Sequence, residues 1–348
     1  MEQLRPLVAK HASRLMKKAN VVGVGIGYKE TGDRVTGEQA LVVLVTKKCH
    51  PTRLARADKI PKALSEVKTD VIEVGELKIL PAAVPEDKEA LEEIDRKARH
   101  RPARPGISVG HYQVTAGTFG ALVYDAETRL PMLLSNNHVL ANITDGRDGR
   151  AKQGDPIYQP GRYDGGGRDD AIAHLERFVP IVRTTAEETC PIARQAERVG
   201  NFILRHTFAG HELRFSRKTG KDNLVDAAVA ALINPDDAIP DIVDIGPVNG
   251  TATPTPGLKV MKSGRTSAIT RGVVRLIGAS VRVGLGEVGS AVFNDQIVTT
   301  AIAQPGDSGS LVVTEDGHQA VGLLSAGSSQ ATILSDLGHV FSLLGVTL

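Results

Sequence analysis

Ser308 sits in QPGDSGSLVV, between glycines and just ahead of an apolar run. Glycine lets a backbone bend until neighbouring N–H groups converge on one point. Converging donors of that kind hold a developing oxyanion, and the N–H groups of Gly306 and Ser308 are the candidates here. A serine hydroxyl is a weak nucleophile at neutral pH and needs an adjacent base, most often imidazole. His138, in LLSNNHVLAN at the C-terminal end of an apolar strand, is one such base. Asp226, in NLVDAAVAAL, lies in an apolar segment where a carboxylate is costly unless something satisfies it. Holding a histidine tautomer and stabilising its imidazolium would satisfy it. Together the three could perform acyl transfer. Plainer readings stand beside this one: Gly-Asp-Ser also builds ordinary turns, and a lone histidine at a strand end is usually structural or merely exposed. Asp170, in GRDDAIAHL, is a rival acid with a less apolar context, and His174 of the same strand reads as structural.

The elements that would carry these residues begin after Gly106. Runs such as GTFGALVYD, LPMLLSNN, DAIAHLERFVPIV, LVDAAVAAL, ITRGVVRLIGASVRVG and QAVGLLSAG alternate with Gly-rich turns, the texture of an all-β sandwich or barrel. A helical patch is expected near residues 185–206, and LSDLGHVFSLLGVTL fits a short terminal helix. Residues 1–80 read as a small α/β domain. Leu4, Leu7, Val8, Leu15 and Met16 recur at helical spacing, two β-branched runs flank ETGDRVTGE as a hairpin, and DVIEVGELKIL closes the unit. Gly23, Gly25 and Gly27 lack the third glycine of a dinucleotide loop and read as strand glycines at close backbone contacts. Between the two parts, residues 81–104 form a charged, Pro- and Arg-rich linker whose basic end, Arg96 to Arg104, reads as solvated.

Composition narrows the function classes. With 348 residues, two or three folding units are expected. A net charge of +2 and only 3% aromatics, with no Trp, argue against nucleic acid as a partner. The two cysteines, Cys49 and Cys190, fall in different domains and are expected as free thiols, which points to a cytoplasmic protein. The N-terminus lacks the unbroken apolar run of a signal peptide, no stretch is apolar enough to span a bilayer, and no membrane partner is expected. No cofactor or metal is expected either: Asp145 and Asp148 in DGRDG read as a solvated turn, and neither CxxC nor HExxH occurs.

SNNHVLA, LVDAAVA and QPGDSGSLVV, in that order, resemble the three signature segments of trypsin-like serine peptidases of the chymotrypsin fold. KSGRTSAITRGVV resembles the segment opening the second barrel in bacterial members, and VGLLSAGS resembles their substrate-binding strand. The resemblance covers roughly residues 105–348. It implies a mainly β chain: a chymotrypsin-like double β-barrel, first barrel about 105–235 and second about 250–348, preceded by the small α/β domain. It further implies His138 as general base, Asp226 as its orienter, Ser308 as nucleophile, and an oxyanion hole from the N–H groups of Gly306 and Ser308. Ser325, Ala326 and Gly327 would pair with an extended peptide as an added strand. The position carrying trypsin's acidic specificity residue falls on or near Ile302, which implies a small or apolar residue before the scissile bond. The implied activity is that of a serine endopeptidase acting on a protein or peptide through an acyl-enzyme. A latent or inactive peptide-binding module and an esterase are the other readings. The long gap between His138 and Asp226 departs from compact members of the family. Asp307, whose counterpart in many relatives pairs with a new N-terminus after activation cleavage, is expected to find an internal partner here. The N-terminal domain is expected to recruit a partner or regulate the peptidase.

Overall fold

A computed structural model of the chain describes residues 1–31, 34–80, 82, 94–187, 195, 199–201, 216–218 and 223–348. Helix α1 (Arg5–Leu15) carries a proline in its first turn, where the missing N–H has no intrahelical partner to lose. Its Val8, Ala12 and Leu15 are buried at helical spacing and share a core with Val24 and Ile26 of strand β1 (Val21–Thr31) and Leu41 and Val43 of β2 (Arg34–Val45). β1 and β2 pair antiparallel, as the expected hairpin. The short β3 (Ala63–Leu64) lies on β4 (Val67–Glu73), which joins β2 in parallel.

The next sheet is built from β5 (Ser108–His111), β6 (Gly117–Thr118), β7 (Ala121–Asp125), β8 (Pro131–Ser135), β9 (Pro156–Tyr158), β10 (Ala171–Phe178) and, after the separate ribbon of β11 (Thr185–Glu187) and β12 (Ser216–Lys218), β13 (Ala228–Leu232). A single helical turn, α2 (Asn137–Leu140), follows β8. The spatial order is β7–β8–β13–β10–β9–β5, and the chain just before β7 pairs back onto β5 through β6 and Phe119, which curls the sheet on itself. Six further strands close a second barrel: β14 (Lys259–Gly264), β15 (Ala268–Gly284), β16 (Ser290–Thr300), β17 (Leu311–Thr314), β18 (Ala320–Gly327) and β19 (Ala331–Asp336) run β14–β17–β18–β19–β16–β15, and β15 returns to β14. Helix α3 (Leu337–Leu344) starts where the Asp336 carboxylate accepts the Gly338 N–H at 2.8 Å, and stops at Gly345, φ +63°. β20 (Val346–Thr347) then lies on β7, so the chain ends on the barrel it built first. Leu134 and Val229 of the first barrel, Leu311 and Leu323 of the second, and Val340 of α3 form one buried cluster between them.

The architecture is a mainly β, chymotrypsin-like double β-barrel with a small α/β unit before it. That unit continues the second barrel's sheet, because β1 pairs with β15 through Gly23–Val281 and Ile26–Ile277. The glycines of β1 make this approach feasible: a Cβ at Gly27 would stand 2.4 Å from the Leu276 side chain and 2.7 Å from the Arg275 carbonyl oxygen.

Three sequence expectations change. Residues 94–104, expected as the end of a solvated linker, pack against the barrels: Arg96 is buried and donates to the Gly106 carbonyl (3.1 Å) and Ser263 Oγ (2.7 Å), while Ala103 is wholly buried. Charge in that run is matched by remote partners, including Asp244. The run DVIEVGELKIL does not end as a strand of its own unit: β4 stops at Glu73, and residues 77–80 cross to the second barrel. Within the expected helical patch, residues 185–187 are strand and 199–201 helical, while 188–194, 196–198 and 202–206 lie outside the described residues. Cys190 lies outside them as well; Cys49 is exposed and free. No helix among the described residues is long and apolar enough to cross a membrane.

Candidate active site

The candidate base comes from the first barrel. His138 sits on α2, directly after β8, and is buried. Its Nδ1 donates to Asp226 Oδ2 at 2.5 Å, and its backbone N–H donates to Asp226 Oδ1 at 3.2 Å. An ionised carboxylate can only accept, so the proton belongs on Nδ1 and the lone pair on Nε2. Asp226 lies just before β13, is 1% exposed, and donates its backbone N–H to Ser335 Oγ at 3.2 Å. The two asparagines of SNNH hold this arrangement. Asn136 Nδ2 donates to the Asp226 carbonyl (2.7 Å), tying the two catalytic candidates' loops together, and Asn137 Nδ2 donates to the carbonyls of Thr144 (3.1 Å) and Val179 (2.8 Å). Neither asparagine is singled out by the sequence; their position beside His138 is the signal that could have found them.

The nucleophile candidate comes from the second barrel. Ser308 lies on the turn between β16 and β17, flanked by Gly306 (φ +100°) and Gly309 (φ +92°). A Cβ at Gly309 would stand 2.0 Å from Ser135 Oγ and 2.5 Å from the Thr118 carbonyl oxygen, so glycine is required there by space as well as by φ. Asp307 holds the turn from below. It pairs with Lys262 Nζ at 3.0 Å, both side chains fully buried, and accepts the backbone N–H groups of Thr266 (2.9 Å), Ser267 (3.0 Å) and Gln304 (2.9 Å) as well as the Ser267 hydroxyl. Burial alone would raise the Asp307 pKa; the Lys262 charge and these hydrogen bonds outweigh it and hold the carboxyl below its usual range. Burial pushes the Lys262 pKa down, against the pull of Asp307. Lys262 is the internal partner that the sequence expected without naming. A second buried pair, Arg265–Asp164, lies beside it: Arg265 Nε donates to Asp164 Oδ2 at 2.7 Å, and the Arg265 backbone N–H donates to Thr118 Oγ1, which in turn donates to the Gly306 carbonyl (2.9 Å).

Of the expected oxyanion donors, Gly306 N–H donates to the Leu80 carbonyl oxygen at 2.8 Å, and Ser308 Oγ lies 3.4 Å from the same oxygen. Ile79, one residue earlier, lines a cavity together with His138, Val139 and Ile143. His138 and Ser308 therefore flank one dipeptide, Ile79–Leu80. They are not hydrogen-bonded to each other: among the described residues, the buried His138 Nε2 has no partner, and the Ser308 hydroxyl faces Leu80.

Ser325, Ala326 and Gly327 end β18, all buried, and Gly327 exchanges two backbone hydrogen bonds with Lys78. Ile302 is buried in the cluster against which Leu80 packs. Asp170, the rival acid, accepts the Gly167 N–H (3.0 Å) and pairs with Arg99 (3.1 Å), partners unrelated to His138. His174 is exposed and contacts the Gly154 carbonyl at 3.1 Å. A further buried imidazole, His111, pairs with Asp155 (3.1 Å); burial pushes its pKa down, and Asp155 opposes the shift. In the DGRDG turn, Asp148 pairs with Arg183.

No family model and no curated protein matches the chain. Its structure is similar to those of bacterial chymotrypsin-fold serine proteases. Thermobifida fusca protease A is 17% identical, over 71% of this chain and 98% of that one, with a TM-score of 0.44. Nocardiopsis protease is 15% identical, over 71% and 99%, with a TM-score of 0.42. An alpha-lytic protease homologue, N4, is 19% identical, over 70% and 97%, with a TM-score of 0.41. Likenesses this distant assign no role to any residue.

Proposed function

We propose that the protein is a serine endopeptidase in which His138, Asp226 and Ser308 act as the catalytic triad. The observation that carries this reading is the Leu80 carbonyl, received by the Gly306 N–H at 2.8 Å with Ser308 Oγ 3.4 Å away, beside an imidazole whose free Nε2 is set by Asp226. His138 Nε2 takes the Ser308 proton as Oγ attacks a peptide carbonyl. Negative charge then develops on the carbonyl oxygen, where the Gly306 N–H, joined by that of Ser308, stabilises it. The imidazolium, steadied by Asp226, protonates the leaving amine, and water discharges the acyl-enzyme by the reverse route. The substrate's acyl side pairs with Ser325–Gly327, and a small or apolar side chain before the scissile bond rests towards Ile302. Cytoplasmic residence and a regulatory N-terminal unit belong to the same reading. Peptide turnover tests it: Ser308→Ala lowers kcat by about 10³- to 10⁶-fold. An unchanged rate in pure protein removes Ser308 from the reaction. A latent state is favoured by one observation, the 1% exposure of Ser308.

A further inference from the structure

Residues 77–80 carry that latency further. Lys78 and Gly327 exchange both backbone hydrogen bonds, Lys78 N–H to the Gly327 carbonyl at 3.1 Å and Gly327 N–H to the Lys78 carbonyl at 2.9 Å, in antiparallel register. The other edge of the segment is paired too. Ile79 N–H donates to the Gly284 carbonyl (3.0 Å), and Gly284 N–H donates to the Leu77 carbonyl (2.9 Å). The segment thus fills the slot between the end of β18 and the tip of the β15–β16 hairpin. Two residues past Lys78, the Leu80 carbonyl rests on the Gly306 N–H, within reach of Ser308. The Leu80 side chain packs on the cluster that contains Ile302 and Leu324, and a Cβ placed on Gly327 would come within 3.3 Å of Leu80 Cδ1. The Ile79 side chain lines the cavity beside His138.

We propose that Leu77–Leu80 is a built-in inhibitor that occupies the acyl-side substrate cleft in substrate register, with Leu80 in the specificity position and its carbonyl at the reaction point. This rests on the peptidase reading of the site. A strand that merely tied the N-terminal unit to the barrel would need the ladder with Gly327, but not a carbonyl on the Gly306 N–H beside Ser308. The next residue explains why the segment blocks the site instead of being consumed. Pro81 makes the following bond a tertiary amide. A tertiary amide nitrogen held within a ring is a hindered acceptor for the proton that a leaving amine requires. Tethering supplies the affinity: a short peptide binds its cleft weakly, but on the same chain it competes at an effective concentration of about millimolar. Substrates accordingly share the segment's chemistry, an extended backbone with a leucine-sized residue before the cleaved bond.

The experiment uses full-length Lys78→Pro, which removes the N–H donated to Gly327, and Leu80→Asp, which puts a charge in the apolar position; circular dichroism checks the fold of each. In the Ser308→Ala background, binding of a fluorescent peptide of residues 76–80, ELKIL, is measured. The expected result is at least tenfold tighter binding by the released variants than by the chain with its own segment, lost when the peptide's final leucine is replaced by aspartate. With Ser308 restored, fluorophosphonate labelling of the released variants is at least tenfold faster than that of the unaltered chain. Equal peptide binding by released and unaltered chains overturns the proposal, as does equal, rapid labelling. Tighter peptide binding in the released variants without labelling of any form keeps the built-in occupant and overturns the peptidase reading instead.

Discussion

The two sides of the cleft are held by different means. On the first barrel, His138 is fixed by one carboxylate and by neutral side-chain amides, Asn136 and Asn137, whose partners are backbone carbonyls. On the second, the Ser308 turn rests on a fully buried Lys262–Asp307 pair, with Arg265–Asp164 beside it. A neutral hydrogen bond contributes about 0.5–1.5 kcal/mol net, whereas breaking a buried ion pair from one side costs about 3–5 kcal/mol. The base side should therefore tolerate substitution with its shape intact and lose chemistry first. The serine side should lose shape first.

Asp226→Asn is the largest break expected on the base side. It keeps the volume but favours the wrong imidazole tautomer, so kcat falls by about 10⁴-fold while the melting temperature changes little. A drop in stability that matches the drop in rate would contradict the contrast. On the serine side, Lys262→Met leaves Asp307 buried without its counter-charge and is expected to cost about 3–5 kcal/mol in denaturant unfolding. Adding Asp307→Asn to it recovers part of that cost, since no lone buried charge remains. Acid breaks the same contact. The Asp307 pKa is depressed in the folded state, so its contribution is complete above the ordinary carboxylate value of about 4 and fades as pH falls through the lower folded value. Lys262→Met should flatten that acid limb in a stability–pH profile. The smallest effect separates the rival acids: Asp170→Asn changes kcat by less than about twofold and stability by less than about 1 kcal/mol, because its pair with Arg99 is partly exposed.

The same contrast marks what could be read from the sequence. The residues proposed as the triad, Ser308, His138 and Asp226, stand out by residue type in local surroundings, and α1, the β1–β2 hairpin and α3 follow from periodicity and end signals. The three β1 glycines also read correctly as close-approach positions, although their neighbour β15 lies some 250 residues away in the chain. What stayed hidden depends on such remote partners. Lys262 looks like its exposed neighbour Lys259 until Asp307 is placed beside it. Arg96 reads as solvated because Ser263 and Asp244, which pair with it, are distant in sequence. Leu77 to Leu80 has the apolar spacing of a strand, and it does pair as one, but with Gly284 and Gly327 and not with its own unit.

The central claim, that Ser308 is an activated nucleophile, is tested most directly by intact-mass analysis after incubation with a fluorophosphonate, using the full-length chain, Leu80→Asp, and Leu80→Asp with Ser308→Ala. A single adduct that forms faster in Leu80→Asp, maps to Ser308 and is absent from the double variant is the predicted result. A folded Leu80→Asp protein that takes up no adduct at Ser308 would contradict the account.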